Sequence, residues 1–307
     1  MKKALGFIII FILLIIAVFV YLYNDKIYMF VAKTINGNNE VVKLGKVNKY
    51  YRDYDFMFVK NTDNFKPKNK NDLYNIVYTV INSGRGEFTF YCDDSYESCI
   101  NDVEELANDQ STLSDINNYV HPFNSFDHIE TEYNTLGKIT IMITKNYSFE
   151  DIKLINDKID EVYDSLVLDN SSLNDNILRV HDYIINNTTY DSEFADNGSS
   201  EHKSSIAYGP LFEGYAICGG YTDLMQLFLE RMNIKSYRVS SNEHVWNAVY
   251  YNNKWLNLDL TWDDPVSDDG KDYLNHDYFL ITTTKLKEIE KTQHDIDFNH
   301  YPELKEA

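Results

Sequence analysis

The chain has 307 residues, enough for one large domain or two modest ones. It carries 48 Asp and Glu against 28 Lys and Arg, a formal net charge of −20. Phosphate groups would repel a body this acidic, so the composition excludes nucleic acid as an expected partner.

The N-terminus has the pattern of a membrane anchor. Lys2 and Lys3 precede an uncharged, almost wholly apolar run over residues 4–23, and about 20 such residues cross a bilayer as a helix. Bulky residues at 19–23 occupy the place where a signal peptide needs small ones, although a cleaved signal peptide is the alternative. Because the lysines favour a cytoplasmic N-terminus, we expect a single-pass protein of the cell membrane with an extracellular body.

Residues 24–170 are predicted to form an extracellular α+β region of unknown role. Lys, Asn and Asp dominate residues 60–71, which is typical of a linker or exposed loop. Apolar periodicity and alternation then predict helices and strands. The helices cover residues 73–81, with Asp72 as cap, 103–113, and a third that starts after a Ser148–Asp151 capping box and runs to 166; the strands cover 87–92 and 138–144.

We place a soft boundary near residues 165–172, which gives segments 1–23, 24–170 and 171–307. Beyond it, Ser172 precedes a predicted helix over 176–185, and a second helix covers 218–232, with Asn233 as a left-handed cap. Strands are predicted at 234–240, 245–251 and 254–260. Asn252 and Asn253 suit a two-residue hairpin turn, which requires positive φ.

The three cysteines divide into a pair and a single residue. Cys92 and Cys99 could close a small loop, depending on how oxidising the compartment is. Cys218 is the odd one, and it stands directly before Gly219 and Gly220 at the predicted start of a helix. A helix N-terminus favours an anion such as the nucleophilic thiolate, and the missing side chains would let a substrate and its oxyanion approach. The alternative is a cysteine that serves only as a small buried residue.

The hairpin connects His244 with Asp259. With Tyr251 opposite Lys254, Asp259 falls on the face that carries His244, as a diagonal neighbour about 7–8 Å away. A carboxylate there could orient the imidazole and stabilise its protonated form. Taken singly, His244 could be a packed strand histidine and Asp259 a capping carboxylate. Together with Cys218, their consistent geometry favours a nucleophile, a base and an orienting group.

Other chemistries find less support in the sequence. Cys218 is the only local thiol and no paired histidine spacing appears, so we expect no metal and no cofactor. Residues 263–272 are rich in Asp but lack the ligand spacing of a calcium loop. The absence of a Cys-x-x-Cys motif argues against a redox role. His181, on a partly apolar helix face, is interpreted as structural, and the three tryptophans as core or cleft-wall residues.

These motifs resemble the transglutaminase-like superfamily of papain-type fold over residues 172–284. The matching elements are Cys218-Gly219-Gly220-Tyr221, His244-Val245-Trp246-Asn247 and residues 258–265, and His181-Asp182-Tyr183-Ile184 with Asn187 and Tyr190-Asp191 is similar to the lead-in helix of bacterial members. Val245 departs from the smaller residue that is common after the histidine. The resemblance implies an α+β fold in which a catalytic helix packs on an antiparallel sheet.

The resemblance also implies a Cys218–His244–Asp259 triad and an acyl-enzyme on the cysteine. The expected function is thiol acyl transfer on glutamine amides or peptide bonds, ending in hydrolysis or in cross-linking. The expected partner is a protein or peptide substrate, with the cell wall as one source. For the oxyanion, the backbone N–H of Cys218 is a better donor than Tyr208. The alternative function is a catalytically silent binding or scaffold module at the cell surface.

Overall fold

The computed structural model describes residues 12–16, 18–23, 42–134, 137–167, 171–265, 273–290 and 292–305. The first part of the described body contains a three-stranded antiparallel sheet of order β1-β3-β2 and four helices. Its elements are α1 (Lys70–Asn82), β1 (Glu87–Tyr91), α2 (Cys99–Asn108), α3 (Gln110–Asn118), β2 (Phe126–Tyr133), β3 (Lys138–Lys145) and α4 (Phe149–Leu166).

The second part contains an antiparallel sheet of order β6-β7-β8 and a short parallel pair, β4 and β5. Its elements are α5 (Leu173–Asn186), β4 (Thr189–Tyr190), α6 (Ser192–Asn197), β5 (Tyr215–Ala216), α7 (Cys218–Arg231), β6 (Ser236–Ser240), β7 (Val245–Tyr251), β8 (Lys254–Leu258), α8 (Leu260–Asp263) and α9 (Thr283–Ile289). Helix α7 packs against β6 and β7, which is the predicted packing of a helix on an antiparallel sheet.

Helix starts followed local capping chemistry, with one correction. Ser148 and Asp151 form the predicted capping box of α4, and the Ser172 side chain accepts from Asp175 N to start α5. The prediction of Asp72 as a cap was wrong. Asn69 caps α1 by accepting from Asp72 N, so the helix begins three residues earlier than expected.

Two further differences come from the first part of the chain. The predicted helix over 103–113 is two helices, because Asp109 leaves the helical conformation and caps α3 by accepting from Thr112 N. Strand β2 was not predicted. Most of its side chains are exposed, so it lacks the alternation that marks a half-buried strand, and its pairing with β3 defines it.

The β7–β8 hairpin has the predicted turn and register. Asn252 and Asn253 have φ of 50° and 63°, and Tyr251 pairs with Lys254. Asn233 also has the predicted positive φ, at 57°. Strand β8 ends at Leu258 rather than at residue 260, because Asp259 is the N-cap of α8 and turns the chain into that helix.

The hydrophobic core consists of two clusters of buried side chains. One joins Phe56 and Tyr119 to Tyr237 and Trp246, and the other joins Ile155 and other α4 residues to helices α5 and α7. Each cluster therefore combines residues from both sides of the predicted boundary at 170. The division into segments 24–170 and 171–307 stays a prediction.

Near the N-terminus, residues 12–16 and 18–22 are helical and their large apolar side chains are exposed. Among the described residues, no helix has both the length and the apolar character needed to cross a membrane. The rest of the predicted span over 4–23 lies outside the described residues. Farther along, Cys92 and Cys99 form a disulfide, which leaves Cys218 as the free thiol.

Candidate active site

Cys218 is the first residue of α7. Ile217, in extended conformation, is the N-cap, so the backbone N–H groups of Cys218 and Gly219 lie in the first turn, where a helix offers them no carbonyl partner. These donors and the helix dipole favour negative charge at the helix start. The cysteine side chain is partly accessible. Its position can therefore stabilise a thiolate and an oxyanion next to it.

The two glycines allow close packing at the start of α7. A Cβ on Gly219 would lie 2.7 Å from the carbonyl oxygen of Ser205, and one on Gly220 would collide with the carbonyl oxygen of Ser204. Ile217 N also donates to Ser204 O at 3.0 Å. The missing side chains thus let the protein's own 204–206 segment pack on the helix start. The expectation that they also make room for substrate stays a prediction.

His244 lies immediately before β7, between Cys218 and Asp259. Its Nε2 is 2.5 Å from Asp259 Oδ2, and the other ring nitrogen, Nδ1, is the one available to the hydrogen bond with Cys218. Ser241 Oγ accepts from the backbone N of His244 at 3.2 Å and fixes this end of the strand. The structure therefore brings together the three residues that the sequence singled out.

Asp259 has two roles at once. Its Oδ1 accepts from the backbone N of Thr261 and of Trp262 at 3.0 and 3.2 Å, which makes it the N-cap of α8. Its Oδ2 faces His244. The capping role that the sequence suggested as an alternative and the orienting role are thus compatible, because each uses a different carboxylate oxygen.

The electrostatics of the pair favour an imidazolium at His244. Burial alone would lower the pKa of His244, but the charge and hydrogen bond of Asp259, together with Cys218, raise it to about 10. Burial would raise the pKa of the Asp259 carboxyl, yet His244 and His294 hold it below its usual value. The site therefore suits a thiolate–imidazolium pair with an ionised carboxylate behind it.

His294 is a fourth member that the sequence did not reveal. Its Nε2 is 2.8 Å from Asp259 Oδ2, and its Nδ1 is 2.8 Å from Glu290 Oε2. The residue follows α9, is 3 % exposed and stands 35 positions after Asp259. No local sequence pattern identifies His294, because the sequence of residues 290–294 carries no signal for a contact with a residue as distant as Asp259.

The remaining predicted residues lie around this centre. His181 is fully buried, with Nε2 3.1 Å from Asp263 Oδ2 and Nδ1 2.9 Å from Asp182 Oδ1, which agrees with a structural role. Trp246 is buried and its ring stacks beside His244 with a centroid distance of 5.7 Å. The Tyr208 ring contacts Lys203 and Phe212.

Tyr190 is another neighbour that the sequence analysis did not propose. Burial, and after it the charge of Cys218, raises the pKa of the Tyr190 hydroxyl. The hydroxyl therefore stays neutral beside the thiolate and can serve as a hydrogen-bond donor. The sequence feature that could have identified Tyr190 is the Tyr190-Asp191 pair, which belongs to the match with the lead-in helix of bacterial members.

Two groups of histidine and carboxylate side chains have ligand atoms within 4.8 Å of one another. One is His244, Asp259 and His294, and the other is His181, Asp182 and His276. In both, the nitrogens already lie at hydrogen-bond distances of 2.5–2.9 Å from the carboxylate oxygens. At these distances a hydrogen atom bridges each nitrogen and oxygen, because the ligand atoms of a tetrahedral zinc ion would lie farther apart.

Comparison with known proteins finds a family within this part of the chain. The transglutaminase-like superfamily matches residues 160–260, which include Cys218, His244 and Asp259. This part of the chain is a transglutaminase-like domain.

Solved structures similar to the chain include a TGase, with 19 % identity, 45 % of each chain covered and a TM-score of 0.34. They also include a candidate cysteine protease from Cytophaga hutchinsonii, with 14 % identity and a TM-score of 0.28. That match covers 44 % of this chain and 61 % of the other. The chain thus spans 45 % and 61 % of the lengths of these two proteins. No curated protein matches the chain.

Proposed function

We propose that this protein is a membrane-anchored extracellular cysteine acyltransferase or peptidase that acts on glutamine amides or peptide bonds. The observation that carries the proposal is the placement of His244, with one ring nitrogen on Asp259 at 2.5 Å and the other toward Cys218 at a helix N-terminus. Each group has the environment that its part in acyl transfer needs.

The first half-reaction follows from these positions. The Cys218 thiolate attacks the carbonyl carbon, and the resulting oxyanion is stabilised by the backbone N–H of Cys218, with the Tyr190 hydroxyl as second donor. His244 gives its proton to the leaving nitrogen, the C–N bond breaks, and ammonia or an amine departs. Asp259 keeps the imidazole in the required orientation. A thioester on Cys218 remains.

The second half-reaction decides between hydrolysis and cross-linking. His244, now neutral, removes a proton from water or from an amine, which attacks the thioester carbon. Breaking the C–S bond regenerates the thiolate, and the product is an acid in the first case and an amide in the second. A protein or peptide is the proposed substrate, and the cell wall is a possible source.

The membrane anchor and the location outside the cell are supported by three features. Residues 12–16 and 18–22 are helical and expose large apolar side chains, as part of an anchor over 4–23 would do. The Cys92–Cys99 disulfide fits an oxidising compartment. Lys2 and Lys3 favour the cytoplasmic side for the N-terminus.

Alkylation by iodoacetamide tests the proposal. Because Cys92 and Cys99 are paired, labelling of the non-reduced protein reports Cys218 alone. At neutral pH, we expect labelling well above the rate of free cysteine, with none in Cys218→Ala. We also expect wild type, and not Cys218→Ala, to release ammonia or cleave bonds in a glutamine-containing peptide mixture, measured by mass spectrometry.

Turnover that survives in Cys218→Ala would refute the assignment. An alkylation rate no higher than that of free cysteine would instead favour the binding or scaffold module.

A further inference from the structure

Glu290 is the C-cap of α9 and organises the segment that follows. Its Oε1 accepts from the backbone N and the hydroxyl of Thr292 at 2.7 and 2.5 Å. Its Oε2 accepts from the backbone N of Gln293 and of His294 at 2.9 and 3.0 Å. These bonds lower the pKa of the Glu290 carboxyl, against the effect of burial. The carboxylate is therefore ionised and fixed.

His294 is held between two such carboxylates. Glu290 Oε2 lies 2.8 Å from Nδ1, and Asp259 Oδ2 lies 2.8 Å from Nε2. An ionised carboxylate has no hydrogen to donate, so each contact requires that the ring nitrogen carry the hydrogen. The ring is 3 % exposed and packed among Trp246, Trp262 and Tyr278, which prevents it from turning toward water.

The titratable groups around the ring come from four segments. They are Glu290 at the end of α9, Asp259 before α8, His244 before β7 at a centroid distance of 5.2 Å, and Tyr278, whose ring stacks on His294 at 5.7 Å. Glu290 and His294 lie outside residues 160–260, the part that the superfamily matches. The triad of that domain is thus completed by a later segment of this chain.

We propose that His294 is doubly protonated between Glu290 and Asp259 and acts as a positioning residue. It fixes the Asp259 carboxylate and weakens the attraction of Asp259 for the proton of His244. Charges alternate from Cys218 through His244, Asp259 and His294 to Glu290. The positive ring of His294 weakens the pull of Asp259 on His244, and Glu290 offsets that ring. The inference builds on the proposed function but concerns the state of two histidines, which can be observed without a substrate.

Nuclear magnetic resonance of protein labelled with ¹⁵N-histidine tests the protonation state directly. At neutral pH we expect both ring nitrogens of His294 to show shifts and couplings of protonated nitrogens, with the signals assigned by their loss in His294→Gln. A His294 ring with one bare nitrogen would overturn the proposal. The protonation state is read from the wild-type protein, and the variant serves only to assign the signals.

Paired variants test the effect on His244. His294→Gln removes a positive neighbour and should raise the pH at which His244 loses its proton, whereas Glu290→Gln leaves His294 uncompensated and should lower it. Each shift should be about 1 pH unit. If His294 and Glu290 served only in packing, the two variants would not shift the pH at which His244 loses its proton in opposite directions. Shifts of the same sign, or none in either folded variant, would refute the proposal.

The matched control is His128→Gln. His128 also stands near two carboxylates, Asp127 at 3.0 Å and Glu130 at 3.8 Å, but on the exposed face of β2. Its substitution should leave the His244 titration unchanged. Alkylation of Cys218 in the same samples separates the two ideas: a reactive thiol with a singly protonated His294 would reject this inference alone, and an inert thiol with the expected shifts would reject only the proposed function.

Discussion

Two buried clusters of the molecule are built from the same parts and share one short helix. Asp259, the N-cap of α8, binds His244 and His294, while Asp263, the last residue of α8, binds His181. In each cluster a histidine lies between two carboxylates. Only the cluster around Asp259 has a thiol beside it. We call them the thiol cluster (Cys218, His244, Asp259, His294, Glu290) and the lead-in cluster (His181, Asp182, Asp263, His276).

The difference shows that a buried histidine–carboxylate pair is not in itself a sign of catalysis. In the lead-in cluster, Asp263 also accepts from the backbone N of Tyr278 at 3.0 Å, so the pair joins α5 to the segment after residue 272. That is a structural connection between elements. In the thiol cluster a second imidazole, His244, faces the Cys218 thiol at a helix start. There the histidine–carboxylate pair is proposed to act as a base with its orienting group.

Replacing His244 or His181 with glutamine should give the largest difference between the two clusters. His244→Gln should lower acyl transfer by about 10²–10⁴-fold, because the thiol loses its proton acceptor and the leaving group its acid. His181→Gln should leave alkylation of Cys218 in the folded protein nearly unchanged and reduce thermal stability instead. The pair is compared by iodoacetamide labelling and calorimetry. Equal losses of labelling in both variants would remove the distinction between the clusters.

The pH dependence of stability separates the clusters next. The folded protein raises the pKa of His244 from 6.5 to about 10, so it binds that proton more tightly than the unfolded chain does. The contribution is complete below about pH 6.5 and is lost as the pH rises to about 10, about 5 kcal/mol in all. Urea unfolding at pH 6.5 and pH 10 should therefore show a larger alkaline loss for wild type than for His244→Gln. A difference of zero would contradict the expectation.

Asp263→Asn tests the lead-in cluster by itself. Asparagine keeps an acceptor for Tyr278 N but leaves Nε2 of the fully buried His181 without its carboxylate partner, so we expect a loss of about 2 kcal/mol. Asp259→Asn is the matched change at the other end of α8, and it should reduce Cys218 alkylation far more. Denaturant midpoints and labelling rates measure the two effects. The comparison fails if Asp263→Asn inactivates the thiol as strongly.

The smallest effect is expected at the rim of the lead-in cluster. His276 Nε2 is 2.8 Å from Asp182 Oδ1, but both side chains are about a third or more exposed. Exposed pairs of this kind contribute about 0–1 kcal/mol. His276→Gln should thus change the unfolding free energy by less than about 1 kcal/mol. A larger loss would show that the exposed rim shares the structural role of His181.

Much of the thiol cluster could be predicted because its signals are local. Gly219 and Gly220 marked the start of α7, and Asn252 and Asn253 set a turn whose positive φ fixes the hairpin register. That register is enough to place His244 and Asp259 on one face of the hairpin. The positions of the glycines follow from the local pattern, but the segment that packs against them, 204–206, is recognisable only in three dimensions.

The sequence by itself determined where the helix and the hairpin begin and turn, because capping, glycine and turn preferences act within a few residues. Only the tertiary structure brought His294 to Asp259, across 35 positions, and His181 to Asp263, across 82. Contacts of that kind depend on how elements pack, and several packings are compatible with one local pattern. The same holds for β2, whose exposed side chains carry no periodic signal and whose place depends on β3.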